Sequence, residues 1–587
     1  MGRVKKLMTQ RLKRMLENFL NYLKDVSLEN EYREELQSIF PDVENLDSAQ
    51  LEEIQSRFSS ELSFGTGGVR GLMGAGTNRI NLPTIRKVTN ALGQTAKELT
   101  KGPMTAVVGY DTRLNSKKFA EHAATVLLDQ GFKVWISSMP SPTPFLCFAM
   151  RRLGASCGII ITASHNPKNY NGLKAYDNQG GQIVEAWDKR IAELILESPI
   201  IMRPPSSPIA NADLIPSEIE EEFVLNACSF LPLNTKSNVF PKIMYTPFHG
   251  TGGALVERIF QKADVPLLLS TSQSVMDGNF PTCPRPNPEE IRSYASVIAD
   301  AMQSDARYIL ANDPDADRIG LVAEQKEYIN ELGNRWKLMT GNDLASLTLD
   351  YLARTRPMSG SIITTIVTSD FLSAVARKHQ LGVIKTLTGF KNIANSMNRL
   401  ADIGDQYVFS AEESYGILID GRLRDKDGVS SSVFVAKMLQ DIESKGMSVW
   451  DAISDLQQST GYFYNDLVNL EDPSSNGLEK FNRFMKELRT MDLTSFWGLP
   501  IVSRQDYLVG STTHSDGRIT PLLDREDDLV KAMPIPTSNV LKFYLDDNSF
   551  IAFRPSGTEP KLKIYIQSCT SLEHLRHLEQ KVRAFLV

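Results

Sequence analysis

Cys157-Gly158-Ile159-Ile160-Ile161-Thr162-Ala163-Ser164-His165-Asn166-Pro167 joins a short apolar run to a polar loop. The run is brief and β-branched, as a strand buried in a sheet is. A serine in the loop at the C-terminal end of a parallel strand sits where α/β folds place their chemistry. Its small polar neighbours leave the hydroxyl accessible. Further on, Asn171-Gly172-Leu173-Lys174 brings a lysine back toward the same loop. Taken alone, the stretch fits a nucleophile loop and an Asn-Pro turn with a capping serine equally well.

The same alternation recurs along the chain. Thr105–Val108 precedes a helical stretch from Ser116, and Ile243–Thr246, Tyr308–Ala311 and 362–367 are further β-rich runs. Repeated strand–helix alternation predicts α/β units with mostly parallel sheets. The last stretch differs. Residues 540–545, an Asp546-Asp547-Asn548 turn and 550–553 read as a hairpin, followed by a strand over 561–567 and a helix over 571–585. The expected architecture is three related α/β domains with mixed sheets plus a C-terminal α+β domain around a central cleft. Proline clusters and a DPSSNG string set the expected boundaries. These are 1–208 (a helical extension plus domain I), 209–333, 334–470 and 471–587. GTGG occurs at 65–68 and again at 250–253, a hint of repetition.

The 587 residues suit about four domains. The formal net charge of -6 offers no basic surplus for nucleic acid. Hydrophobic residues at 42% and charged ones at 23% exclude wholesale disorder. Five scattered cysteines without a CxxC argue against a disulfide framework or structural zinc, and fit a reducing cytoplasm. No apolar run is long enough to cross a membrane. The basic, amphipathic N-terminus reads as a helix packed on the first domain, with membrane-surface contact as the alternative.

Three more loops carry candidate chemistry. Asp313-Pro314-Asp315-Ala316-Asp317-Arg318 puts three carboxylates on alternate residues, able to converge on a hard divalent cation. Arg318 stands where an EF-hand needs glycine, and a strand-like run precedes the loop. Glu412-Glu413-Ser414-Tyr415-Gly416 suits sugar hydroxyls or a solvated helix start equally. Arg554-Pro555-Ser556-Gly557-Thr558-Glu559-Pro560 combines an arginine, two hydroxyls and a glycine, the parts of a phosphate cradle; the alternative is a polar β-turn.

In this order the four loops closely resemble those of the α-D-phosphohexomutase family, from about Phe64 to the C-terminus. The overall string is most similar to the long branch containing bacterial phosphoglucomutases and phosphopentomutase-like enzymes. Asp425-Lys426-Asp427-Gly428-Val429 and Ser538-Asn539-Val540-Leu541-Lys542-Phe543 support that branch. The resemblance implies that Ser164 is phosphorylated and passes its phosphoryl group to a sugar monophosphate through a bisphosphate intermediate. It implies Mg²⁺ on Asp313, Asp315 and Asp317, bridged to the Ser164 phosphate. Arg70, in Phe64-Gly65-Thr66-Gly67-Gly68-Val69-Arg70-Gly71, is implied near the transferring phosphate, with Arg318 and Lys174 as further cations. Gly389 and Lys391 match the specificity loop, Glu412 and Ser414 the sugar loop, and Arg554, Ser556, Gly557 and Thr558 the site of the non-reacting phosphate. Gly416 stands where many members carry a histidine proposed to handle protons.

The expected activity interconverts glucose 1-phosphate and glucose 6-phosphate, with mannose and pentose phosphates as further candidates and glucose 1,6-bisphosphate as activator. Phosphopentomutase, glucose 1,6-bisphosphate synthase and a non-catalytic sugar-phosphate-binding regulator are the alternatives. A hydroxyl attacking phosphorus must lose its proton, and Lys174 is the expected base. His165 and His249 are expected to hold their loops, and Glu324 to be ordinary surface. The expected partners are small sugar phosphates, without nucleic acid or membrane, on a monomer or weak homo-oligomer.

Overall fold

The computed structural model describes residues 10–65, 67–232, 240–472, 477–491, 498–528, 530–556 and 561–586. Gly557, Thr558 and positions 473–476 of the expected last linker lie outside the described residues. The chain divides into two units. One comprises Met1–Leu231, Phe240–Leu338 and Arg422–Lys437; the other comprises Pro232–Val239, Met339–Gly421 and Met438–Val587.

The first unit opens with three helices, Gln10–Lys24, Asn30–Ile39 and Ser48–Phe58. Asp47 and Gln50 form a reciprocal capping box that starts the third. Phe19 meets Phe40 and Phe58 edge-to-face at 5.2 and 5.3 Å. These rings belong to one continuous core with Ile80, Ile85 and Leu92. The amphipathic helix Gln10–Lys24 therefore packs on the first domain, because its apolar stripe is covered there.

That domain holds a six-stranded sheet. Its order is Gly68–Leu72, Tyr170–Tyr176, Cys157–Ile161, Thr105–Tyr110, Lys133–Ile136 and Asp213–Leu214. A second, five-stranded sheet runs Trp336–Leu338, Gly320–Glu324, Tyr308–Ala311, Ile243–Thr246 and Leu268–Leu269. In the other unit a four-stranded sheet runs Gly382–Thr386, Ser361–Thr365, Tyr407–Glu412 and Gly416–Leu418.

All three sheets share one plan. Three parallel strands are followed by a strand that turns back antiparallel on the third. The turn back is where Ser164, the Asp313–Asp317 series and Glu413–Tyr415 lie. In each of the three turns one non-glycine residue takes a left-handed backbone, with φ of 49° at Ser164, 54° at Ala316 and 65° at Tyr415. Such positions cost roughly 1–3 kcal/mol and concentrate at functional sites. The repetition is thus real, but GTGG does not mark it. The first copy leads into the edge strand Gly68–Leu72, whereas the second opens the helix Gly252–Lys262.

The C-terminal sheet has seven strands, all antiparallel, ordered Tyr464–Glu471, Lys561–Ser568, Phe550–Pro555, Leu541–Leu545, Ile501–Asp506, Ser511–His514 and Ile519–Pro521. Helices Gly477–Thr490 and Leu572–Leu586 complete this α+β part. Three strands lie close to the expected boundaries. Asp213–Leu214, Trp336–Leu338 and Tyr464–Glu471 are edge strands, and ladder pairing rather than local composition assigns each to its sheet.

Candidate active site

Two sheets of the first unit build one constellation. Ser164 follows the buried strand Cys157–Ile161, and its amide donates to Thr162 Oγ1 at 2.8 Å. Ser164 Oγ donates to Asp313 Oδ2 at 2.6 Å and lies 3.1 Å from His165 Nδ1. Burial, then the Arg318 and Arg70 charges, hold His165 well below the usual imidazole range. It is a neutral partner that fixes the loop. His249 is bonded on both nitrogens, to Val275 O and Thr282 Oγ1, each at 2.9 Å.

Asp313, Asp315 and Asp317 are fully buried at the end of Tyr308–Ala311. One oxygen from each lies within 4.8 Å of the others. Burial, then the charges of Asp315 and Asp317, push the Asp313 carboxyl well above its usual range. Asp315 Oδ1 and Asp317 Oδ1 have no hydrogen-bond partner among the described residues. Buried carboxylate oxygens left unbonded in a mutually repelling trio fit a hard divalent cation that keeps positions open for other oxygens.

Cations ring the trio. Lys174 Nζ reaches Asp315 Oδ2 and Asp317 Oδ2, both at 2.7 Å. Burial pulls its ammonium down, but those two carboxylates outweigh burial and hold it above the ordinary range. In this arrangement both carboxylates favour the protonated form of Lys174, so it neutralises their charge; the base role expected from the sequence would need that proton to leave. Burial also pushes Asp317 up, yet Lys174 and Lys426 hold it low. Arg318 pairs with Glu289, and its amide donates to Asp313 Oδ1 at 3.1 Å. Arg70 is exposed, and its Nη1 donates to Asn166 Oδ1 at 2.9 Å.

Two contributors escaped the sequence reading. Lys426 lies 3.1 Å from Asp317 Oδ2 and 3.2 Å from Asp425 Oδ1. Asp425 also accepts from Tyr176 at 2.9 Å and Gln182 at 2.8 Å. Asn312 ties this segment to the acidic loop by donating to Arg318 O at 2.6 Å and Gly428 O at 3.1 Å. The string DKDG was visible, but only as a mark of the branch. The second is Arg113, buried and 3.3 Å from Asp111. It donates to the carbonyls of Ser164, Asn166, Pro167 and Tyr170, and so grips the whole serine loop. Asp111-Thr112-Arg113 also follows an apolar strand, which is the signal that could have found it.

In the other unit, Glu412 ends the strand Tyr407–Glu412 and Ser414 lies in the turn after it, so this loop is a strand reversal rather than a helix start. Glu412 Oε1 accepts from Gly389 N at 2.8 Å, which joins the sugar loop to the specificity loop. Glu413 accepts from Thr365 and Thr368, each at 3.2 Å. Lys391 stands in the first turn of the helix Phe390–Arg399. Arg554, half-buried near the end of Phe550–Pro555, donates to Tyr565 at 3.4 Å, and Ser556 N donates to Lys561 O at 2.8 Å. Glu324 is exposed.

A serine aimed at a buried carboxylate trio ringed by lysines and arginines, on repeated α/β sheets, is an arrangement suited to phosphoryl transfer. Comparison with known proteins makes the class specific. The phosphoglucomutase/phosphomannomutase family models match in series: alpha/beta/alpha domain I at 61–199, domain II at 222–326, domain III at 340–459 and the C-terminal domain at 517–585. The chain belongs to this family and is a mutase, an enzyme of the isomerase class. It is 32% identical to a phosphoglucomutase of Staphylococcus epidermidis, over 90% of this chain and 94% of that one. It is 31% identical to the phosphoglucomutase of Staphylococcus aureus, over 92% and 95%. A phosphoglucomutase/phosphomannomutase family protein of Burkholderia thailandensis shares the fold at TM-score 0.63 and 18% identity, covering 89% of this chain and 96% of that one. The open form of parafusin, a phosphoglucomutase of Paramecium, does so at 0.61 and 17%, covering 87% and 91%. No described helix is long and apolar enough to cross a membrane.

Proposed function

We propose that the chain interconverts glucose 1-phosphate and glucose 6-phosphate through a phosphoserine at Ser164. The observation that carries this reading is the 2.6 Å contact of Ser164 Oγ with a carboxylate of the buried trio. The phosphoglucomutases at 31–32% identity favour glucose as the sugar. The phosphoryl group leaves Ser164 Oγ as the Oγ–P bond breaks and an O–P bond forms to the free sugar hydroxyl, whose proton ends on Ser164 Oγ. The resulting glucose 1,6-bisphosphate returns its other phosphoryl group to Ser164, and a trace of that bisphosphate serves as activator. Transfer of this kind needs alignment and charge neutralisation more than covalent assistance.

Asp313, Asp315 and Asp317 would hold Mg²⁺. When bound, it supplies charge stabilisation at phosphoryl oxygens, which would include those on Ser164. Lys174, Lys426, Arg318 and Arg70 spread further positive charge around the reacting group. Glu412, Ser414, Gly389 and Lys391 would recognise the sugar. Arg554 and Ser556, with Gly557 and Thr558, would hold the phosphate that is not reacting.

The test is a side-by-side assay of glucose 1-phosphate, mannose 1-phosphate and ribose 1-phosphate with Mg²⁺ and a trace of glucose 1,6-bisphosphate. A large preference for glucose 1-phosphate is expected. A pentose preference would retain the phosphoserine mechanism and move the enzyme to phosphopentomutase. No turnover with any of them, but net bisphosphate synthesis from another phosphoryl donor, would replace the mutase reading with the synthase.

A further inference from the structure

The stretch that carries Arg70 is rich in glycine, and its turn is held both by its own return through Ile80 and Asn81 and by residues outside the domain. Six of the twelve residues 65–76 are glycine, the residue that loses most freedom on ordering. Its strand, Gly68–Leu72, is a sheet edge whose ladder pairs with Tyr170–Tyr176. The turn that continues it is clamped by helices lying ahead of the family match at 61–199. Glu35 Oε2 accepts from Ala75 N at 3.0 Å, and Arg57 Nη1 donates to Ala75 O at 2.8 Å. The same Arg57 nitrogen pairs with Glu35 Oε1 at 2.6 Å, and Arg57 Nε pairs with Glu53 at 2.6 Å. Both backbone groups of one residue are thus captured by one ion pair, its arginine buried and its glutamate half-buried.

The approach is close. A Cβ on Gly74 would lie 2.8 Å from Glu35 Oε1, and one on Gly76 would lie 2.8 Å from Arg57 O. Asn78 N donates to Arg57 O at 2.9 Å, and Arg79 donates to Ser56 O and Ser56 Oγ at 2.9 and 2.8 Å. From the turn, the chain reaches the serine loop directly. Met73 N donates to Asn169 O at 2.9 Å, and Arg70 donates to Asn166.

We propose that Glu35 and Arg57, in the N-terminal helical extension, are positioning residues for Arg70. The proposal rests on the placement of Arg70 among the groups that neutralise the transferring phosphoryl. The extension then acts as part of the catalytic apparatus at second hand. It fixes a glycine-rich edge strand whose arginine must be correctly placed at the moment of transfer.

The test is a double-mutant cycle on the full chain with Arg57→Ala and Arg70→Ala, read as kcat and KM for glucose 1-phosphate beside the thermal midpoint. Arg57→Ala should lower kcat by about 10- to 100-fold while KM moves little. Arg57→Lys should recover part of the loss, since an ammonium still reaches a carboxylate. The double variant should be no slower than Arg70→Ala alone. Losses that simply multiply, or a kcat that follows the thermal midpoint with no rescue by lysine, would overturn the proposal. Full activity in Arg70→Ala would instead overturn the placement of Arg70, and the positioning role with it. Glu35→Gln carries the same cycle should Arg57→Ala not fold.

Discussion

Lys174 and Lys542 are both buried lysines on strands, and their surroundings drive them in opposite directions. Lys174, in the serine-loop sheet, meets two carboxylates at 2.7 Å and stays a cation. Lys542, in the C-terminal sheet, has the Asp370 carboxylate at 4.0 Å and a carbonyl, Ile366 O, at 3.2 Å. The Phe550 ring lies 3.7 Å from its nitrogen. Burial pulls its pKa down to about 7, only partly offset by Asp370. Burial alone therefore does not decide charge; the number and distance of carboxylates do. The first region concentrates charge for chemistry. The second is a packing solution that tolerates an ammonium poised to lose its proton.

The contrast can be broken from the active side first. Ser164→Ala should reduce turnover by more than about a thousandfold and abolish phosphoprotein formation on incubation with glucose 1,6-bisphosphate. Phosphorylation persisting in that variant, seen by mass spectrometry, would move the nucleophile elsewhere. Lys174→Met should cost about 10²–10³-fold in kcat, the scale of losing one preorganised electrostatic contact. A kcat within threefold of the unmodified enzyme would refute its charge role. Arg113→Lys should cost about 10- to 100-fold, because a lysine cannot bond four loop carbonyls at once and the serine drifts. Steady-state phosphoserine content should fall with it, and an unchanged content at reduced kcat would contradict that account.

The smallest effect sharpens the other side. The unfolded chain binds a proton at Lys542 up to about pH 10.4, whereas the folded chain releases it near pH 7. Between those values the unfolded state binds more protons, so stability rises with pH, by up to about 1.4 kcal/mol per unit. Lys542→Met should remove that contribution from denaturation curves over pH 7–10 and leave turnover unchanged. An identical pH slope in both proteins would show that Lys542 is not the titrating group.

Much of the fold was readable because its signals are local. Apolar strands such as Tyr308–Ala311 and the polar loop after each need only neighbouring residues. The edge strands were not readable. Asp213–Leu214 and Leu268–Leu269 are two residues long and exist only through pairing with a distant strand. The candidate site divides the same way. The three aspartates announce themselves by spacing, whereas Ser164 stood out only through the resemblance of the four loops in order. Arg113 and Lys426 sit in strings of ordinary charged residues, and nothing nearby in sequence says what they touch.

By itself the sequence determined which loops could carry phosphoryl chemistry, through the groups each presents and the resemblance of the four, in order, to one family. It also determined the alternation that builds the sheets. Tertiary structure alone decided which charges meet. Ser164 finds Asp313, Lys426 finds Asp317, and Glu35 with Arg57 finds Ala75 only after the chain closes large loops. Whether a lysine serves as a base, a cation or a buried amine depends on desolvation and on carboxylates brought from elsewhere in the chain, and both are set by packing.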